Sequence, residues 1–117
     1  MKKTILLLII LVASAFSVLA ASPAAGSWDC VATVDQEYPF VLTITEKDGV
    51  LTGKAESYQG DAGPVENIKI EDGVLTFSID TAAAGMIDFE GKLDGNIIKG
   101  TLEGWDFGGE FTGTRKE

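Results

Sequence analysis

From Gly26 onward, apolar and polar residues alternate with a period of two, and the period never lengthens to that of an amphipathic helix. Glu46-Lys47-Asp48-Gly49-Val50-Leu51-Thr52-Gly53 recurs loosely as Glu71-Asp72-Gly73-Val74-Leu75-Thr76-Phe77. A third copy is Leu93-Asp94-Gly95-Asn96-Ile97-Ile98-Lys99-Gly100, and the Asp-Gly pairs stand 24 and 22 residues apart. Asp-Gly between alternating hydrophobics predicts a hairpin, because a type I′ turn needs positive φ at both central residues. One hairpin per two dozen residues predicts a β-meander rather than a helical solenoid. Reading outward from the turns gives eight strands, over about 28–34, 38–46, 50–58, 65–71, 74–80, 86–93, 96–102 and 107–115. The fold class that follows is all-β. Tight connections and an even strand number predict a single antiparallel up-and-down barrel, whose last strand pairs with its first and leaves no edge.

Alternation sorts the two faces. Trp28, Cys30, Ala32, Val34, Phe40, Leu42, Ile44, Leu51, Gly53, Ala55 and Ser57 are assigned inward on the first three strands. Ile68, Ile70, Leu75, Phe77, Ile79, Ile87, Phe89, Gly91, Leu93, Ile98, Gly100, Leu102, Phe111 and Gly113 follow on the others. The opposite face carries Lys54, Glu56, Lys69, Asp88, Glu90, Lys92 and a series of threonines. A polar exterior excludes a membrane barrel, whose outside must be apolar. Large and small inward residues alternate, which predicts an interior filled by interdigitating side chains. The alternative is a small apolar pocket with its mouth near Val34, Ser57, Glu66 and the loop Ala82 to Gly85.

The first 20 residues read as a removable leader. Lys2 and Lys3 form a basic start, Ile5 to Val12 is uninterrupted apolar sequence, and Val18-Leu19-Ala20 sets small or β-branched residues at the cleavage positions. Cleavage after Ala20 implies a secreted or periplasmic protein, with an uncleaved anchor as the alternative. Residues 21–25 read as a flexible lead with nothing to bury, leaving 26–117 as the barrel domain. Cys30 follows Ser27-Trp28-Asp29 rather than a lipidation box, so a lipid anchor is not expected.

Charge and composition then narrow the chemistry. The net charge of −9 becomes −11 once Lys2 and Lys3 are removed, and an acidic domain repels phosphate backbones, so nucleic acid is excluded as a partner. The chain has no His and a single Cys, which removes the usual general base and rules out an intramolecular disulfide or thiolate metal cluster. Carboxylates gather at turns, where Asp stabilises local geometry, and none is spaced as an acid–base pair or a calcium loop. No catalytic residue, metal or cofactor is therefore assigned. Cys30 is placed inside as a small hydrophobe.

Gly26-Ser27-Trp28 at the start of the first strand, with Arg115 in the last, resembles the Gly-x-Trp and final-strand Arg of the lipocalin and avidin group. That resemblance implies that Arg115 covers Trp28 at the closed end of the barrel. Asp48 to Ser57 is similar to the second hairpin of streptavidin-type proteins. The span 26–115 resembles small secreted bacterial domains of unassigned function found beside or fused to hydrolases. They share Asp-Gly-x-Leu-Thr repeats, Phe-x-Gly, Ile-x-Gly-Thr and a closing Phe-x-Gly-Thr-Arg. Biotin binding does not carry over: the positions for the ureido-binding polar groups hold Cys30 and Val34, Ala55 stands where a Tyr is needed, and only Ser57 matches.

Gly104-Trp105-Asp106-Phe107-Gly108-Gly109 remains as a surface oddity. The favoured reading has Phe107 continuing the inward face and Trp105 plugging one barrel end. The alternative is a recognition tip of exposed aromatics. The function expected is a noncatalytic binding or interaction module, acting through Trp105, Asp106, Phe107, Ser57 and Glu66. Its partner is then a small apolar ligand or a protein, and the chain is a monomer or a weak homo-oligomer. The alternative is a hydrolase-associated accessory domain or a small hydrolase.

Overall fold

The computed structural model describes residues 22–57 and 60–116. Eight strands run in sequence: β1 (Gly26–Thr33), β2 (Glu37–Lys47), β3 (Val50–Ser57), β4 (Gly60–Glu71), β5 (Val74–Thr81), β6 (Gly85–Asp94), β7 (Ile97–Glu103) and β8 (Gly108–Arg115). Each pairs antiparallel with the next, and β8 returns to β1 with Trp28 opposite Arg115 and Cys30 opposite Gly113, so the sheet is a closed barrel. Two of the three Asp-Gly turns form as the sequence predicts. Asp48 and Gly49 (φ 53° and 80°) and Asp72 and Gly73 (φ 52° and 78°) supply the paired positive φ of type I′ turns. The third hairpin turns one residue later. Asp94 pairs with Ile97, so Gly95-Asn96 forms the loop with Gly95 alone at positive φ (61°), the pattern of a type II′ turn.

The predicted inward face is the core. Trp28, Cys30, Leu42, Ile44, Ala55, Leu75, Phe77, Ile79, Phe89, Ile98, Leu102 and Phe111 are all buried. Val34 is the exception, 38% exposed just beyond the end of β1. Across the middle of the barrel Phe77 stacks on Phe89 at 4.7 Å, and Phe111 meets both edge-on at 5.9 and 5.2 Å. Phe40 adds a fourth ring 5.9 Å from Phe89. These rings lie over small residues on facing strands: a Cβ on Gly91 would come within 2.8 Å of Phe111 Cζ and 2.6 Å of Ile98 Cγ2. Large side chains thus occupy the space the glycines leave, which is the interdigitated filling expected of an eight-stranded interior.

One end of the barrel, here the lead end, holds the start of β1, the three two-residue hairpins and Arg115. Residues 22–25 do not form the flexible lead predicted from their composition. Ala24 is fully buried under the barrel, and its carbonyl accepts the Trp28 indole N–H at 3.0 Å. Arg115 donates to Ala25 O at 2.7 Å and to Pro23 O at 2.6 Å, while its guanidinium lies 4.2 Å from the Trp28 ring centroid. The lead was misread because its partner stands about ninety residues away in sequence, beyond any local pattern. Residues 1–20, including the predicted cleavage site, lie outside the described residues.

β4 is the irregular strand. Asn67 adopts positive φ (56°), and the register steps from Glu66 opposite Ser78 to Lys69 opposite Thr76, so one extra residue bulges against β5. Pairing between β3 and β4 runs only from Ser57–Gly60 to Gly53–Val65. Toward the lead end the two strands part around a cleft of about 480 Å³, lined by Val50, Leu51, Ile68 and Ile70 with Ser22 and Glu46 among its walls.

Candidate functional site

The opposite end, here the tip end, carries the connections after β1, β3, β5 and β7. The β7–β8 hairpin is tighter than its six-residue Gly-rich sequence suggests. Glu103 pairs with Gly108, and inside that pair the Gly104 N–H donates to Phe107 O at 2.8 Å, leaving Trp105 and Asp106 at the two corners. The Phe107 ring lies directly over Gly104, where any Cβ would overlap it, and Phe107 packs against the core. Glycine at 104 is thus what lets Phe107 fold inward. Phe107 continues the inward face as predicted, but Trp105 does not plug the barrel: it is 88% exposed. A corner residue of a two-residue turn has no neighbouring strand to pack on, so its side chain stays in solvent.

The other residues predicted for a site separate in space. Asp106 is exposed beside Trp105. Ser57 sits half-buried at the tip-end rim, and its hydroxyl donates to Gly60 O at 3.3 Å. Glu66 is not at a barrel mouth. It is exposed on the outer face of β4 opposite Ser78, because alternation from inward Val65 turns it outward. Trp28 and Arg115 meet at the lead end as the predicted closure. Cys30 is a free, buried thiol whose pKa is pushed up to about 12, chiefly by burial and secondarily by Asp29. At that value it is protonated at neutral pH and is no nucleophile. Tyr38 donates to Asp35 Oδ1 at 3.0 Å, and this hydrogen bond raises the phenol from its ordinary range. Among the described residues no group of three or more Cys, Asp or Glu could hold a metal ion.

A feature that the sequence did not reveal lies on the outside of the sheet. An open trough of about 510 Å³ crosses β4 to β7, lined by Asn67, Lys69, Thr76, Ser78, Asp88, Glu90, Thr101 and Glu103. The Asn67 bulge bends β4 at one side of it. Register sets Glu66, Ser78, Asp88 and Glu103 in one row on successive strands, the last three lining the trough, with Ser78 donating to Asp88 Oδ1 at 2.6 Å. Two residues beyond Glu103 is Trp105, and two before Asp88 is Met86, itself 45% exposed. Met86 and Trp105 therefore stand just beyond the trough on its tip side.

Among the described residues the basic side chains stand at the lead end or mid-barrel, mixed at the lead end with Glu46, Asp48, Glu71, Asp72 and Asp94, whereas the tip end carries acids alone. Lys47, Lys69, Lys92, Lys99, Arg115 and Lys116 stand toward the lead end, and Lys54 at mid-barrel pairs with Glu56 at 3.8 Å. Asp35, Asp80, Asp88, Glu103, Asp106 and Glu110 stand toward the tip end. The β6–β7 hairpin shows the split most sharply: Lys92 faces Lys99 near one end and Asp88 faces Glu103 near the other. No protein-family model, characterised protein or solved structure matches this chain, so the functional reading rests on its own geometry.

Proposed function

We propose that the chain is an exported, noncatalytic binding module that engages a partner through the Trp105-Asp106 tip of the β7–β8 hairpin rather than through the barrel interior. The observation that carries this reading is Trp105 itself: a large aromatic, 88% exposed, on a hairpin anchored by Phe107. Exposing an indole costs solvation free energy that burial would recover, and exposed tryptophans concentrate at interfaces. The interior supports the same reading, because four phenyl rings fill the middle of the barrel where a lipocalin-like ligand would sit. Similarity to lipocalin-like secreted domains, and a leader cut after Ala20 that would deliver the domain to the periplasm or medium, complete the proposal.

Native mass spectrometry of protein purified from its own host tests it. The expected spectrum shows a chain beginning at Ala21 with no retained small molecule, and any partner mass present is lost in Trp105→Ala. A small molecule retained by wild type and by Trp105→Ala alike would overturn the tip reading in favour of an internal site.

A further inference from the structure

We infer that the trough and tip together form a docking face for a basic protein segment, an inference that deepens the tip reading and rests on it. The first observation is geometric. The outer faces of β4 to β7 hold the trough, and the exposed residues Met86 and Trp105 stand two residues from its lining residues Asp88 and Glu103 on the tip side. The second is electrostatic. Asp88 and Glu103 stand directly opposite on adjacent antiparallel strands, an arrangement that destabilises a sheet by like-charge repulsion. Glu66 lies in the same row, and Glu90 is in the next row toward the lead end, where Lys69 stands across Thr76 from it as the one cation lining the trough among the described residues. Among the described residues no Lys or Arg comes within ion-pair distance of these four carboxylates. Incoming guanidinium or ammonium groups would relieve that repulsion and complement the face by charge.

Shape decides between kinds of cationic partner. A small cation needs a concave pocket that wraps most of its surface. Trp105 instead projects from a convex corner and offers no enclosure, so its indole face is open for a side chain of an extended partner to stack on. A basic segment can lay Lys or Arg side chains along the trough, with one stacked on the exposed indole. The same polarity also fits a second copy of this chain, with Lys92 and Lys99 of one meeting Asp88 and Glu103 of the other. The excess of acidic over basic residues in each copy opposes that pairing at long range, whereas it attracts a basic partner.

The test uses the mature chain and three synthetic dodecapeptides, (Arg-Gly)6, (Glu-Gly)6 and (Ser-Gly)6, followed by amide chemical-shift mapping at low and high salt. The expected result is binding of the Arg-Gly peptide alone, with shifts confined to the trough strands and residues 103–107, and weakening as salt rises. Asp88→Asn with Glu103→Gln should weaken it at least tenfold, and Trp105→Ala should weaken it too. Asp48→Asn with Asp72→Asn, which removes as much charge at the lead end, should leave it within about twofold. Equal loss in both double variants, or shifts centred on the lead end, would overturn the inference. Binding of the Ser-Gly or Glu-Gly peptide that depends on Trp105 would overturn the basic-partner class while leaving the tip reading intact. Absence of any Trp105-dependent binding would remove both. Micromolar self-association abolished equally by Lys92→Gln with Lys99→Gln and by the trough double variant would replace the basic segment with a second copy.

Discussion

Arg115→Ala is the perturbation whose cost the structure sets most directly. The side chain reaches three separate parts of the lead end: the Pro23 and Ala25 carbonyls at 2.6 and 2.7 Å, Asn96 Oδ1 at 3.2 Å, and the Trp28 ring at 4.2 Å. A hydrogen bond from a charged donor contributes about 1.5–3 kcal/mol, and a guanidinium over an indole about 0.5–2 kcal/mol. The contact to Pro23 is exposed and that to Ala25 part-buried, so the freed carbonyls regain water and the net loss falls to about 3 kcal/mol. For a domain of this size that shifts Tm down by about 12 °C or more. Thermal denaturation followed by circular dichroism reads the shift, and tryptophan emission should move to the red as Trp28 loses its cover. Arg115→Lys should fall between, keeping the charge but losing the planar fork. A Tm within about 3 °C of wild type for Arg115→Ala would refute the claim that this residue ties lead, first strand and last strand together.

Three further substitutions have defined outcomes. Trp105→Ala should leave the denaturation midpoint within about 0.5 kcal/mol of wild type, because the indole has no packing to lose, whereas a buried tryptophan would cost roughly 3–5 kcal/mol in the same assay. Gly91→Ala should destabilise by about 1–3 kcal/mol in urea, since its methyl must displace Phe111 and Ile98; a neutral result would show the ring cluster to be loosely packed. Cys30 keeps its proton to higher pH in the folded chain than in the unfolded one, so the associated stability is whole below about pH 9 and is lost as pH rises towards 12. Wild type should therefore lose stability more steeply than Cys30→Ala above pH 9, by up to about 1.4 kcal/mol per pH unit. Parallel pH profiles for the two would contradict burial of the thiol.

What could be read from the sequence was what local chemistry dictates. Period-two alternation places all eight strands and nearly every inward residue, because each strand has one buried face and one wet face. Asp48-Gly49 and Asp72-Gly73 mark their turns because αL geometry is demanded there. The third turn slipped by one residue because Gly95-Asn96 satisfies a two-residue loop as well as Asp94-Gly95 does. The Asn67 bulge carried no Gly or Pro to announce it, only a side chain tolerant of positive φ. Nonlocal features were not legible. Ala24 becomes core only because Arg115 and Trp28 fold beneath it, and Trp105 was read as a plug because hydrophobicity alone cannot tell a turn corner from a strand end. The opposition of Asp88 to Glu103 exists only once register is fixed.

On the proposed function this barrel meets its partner from outside, at an exposed tryptophan in a negative field. Collisional quenching of tryptophan emission by caesium and by iodide tests it most directly, since the chain has two tryptophans and Trp28 is fully buried. One readily accessible component, Trp105, should be quenched markedly better by caesium than by iodide, with the preference fading as inert salt screens the surrounding carboxylates. Emission shielded from both ions, or quenched as well by iodide as by caesium at low salt, would contradict it.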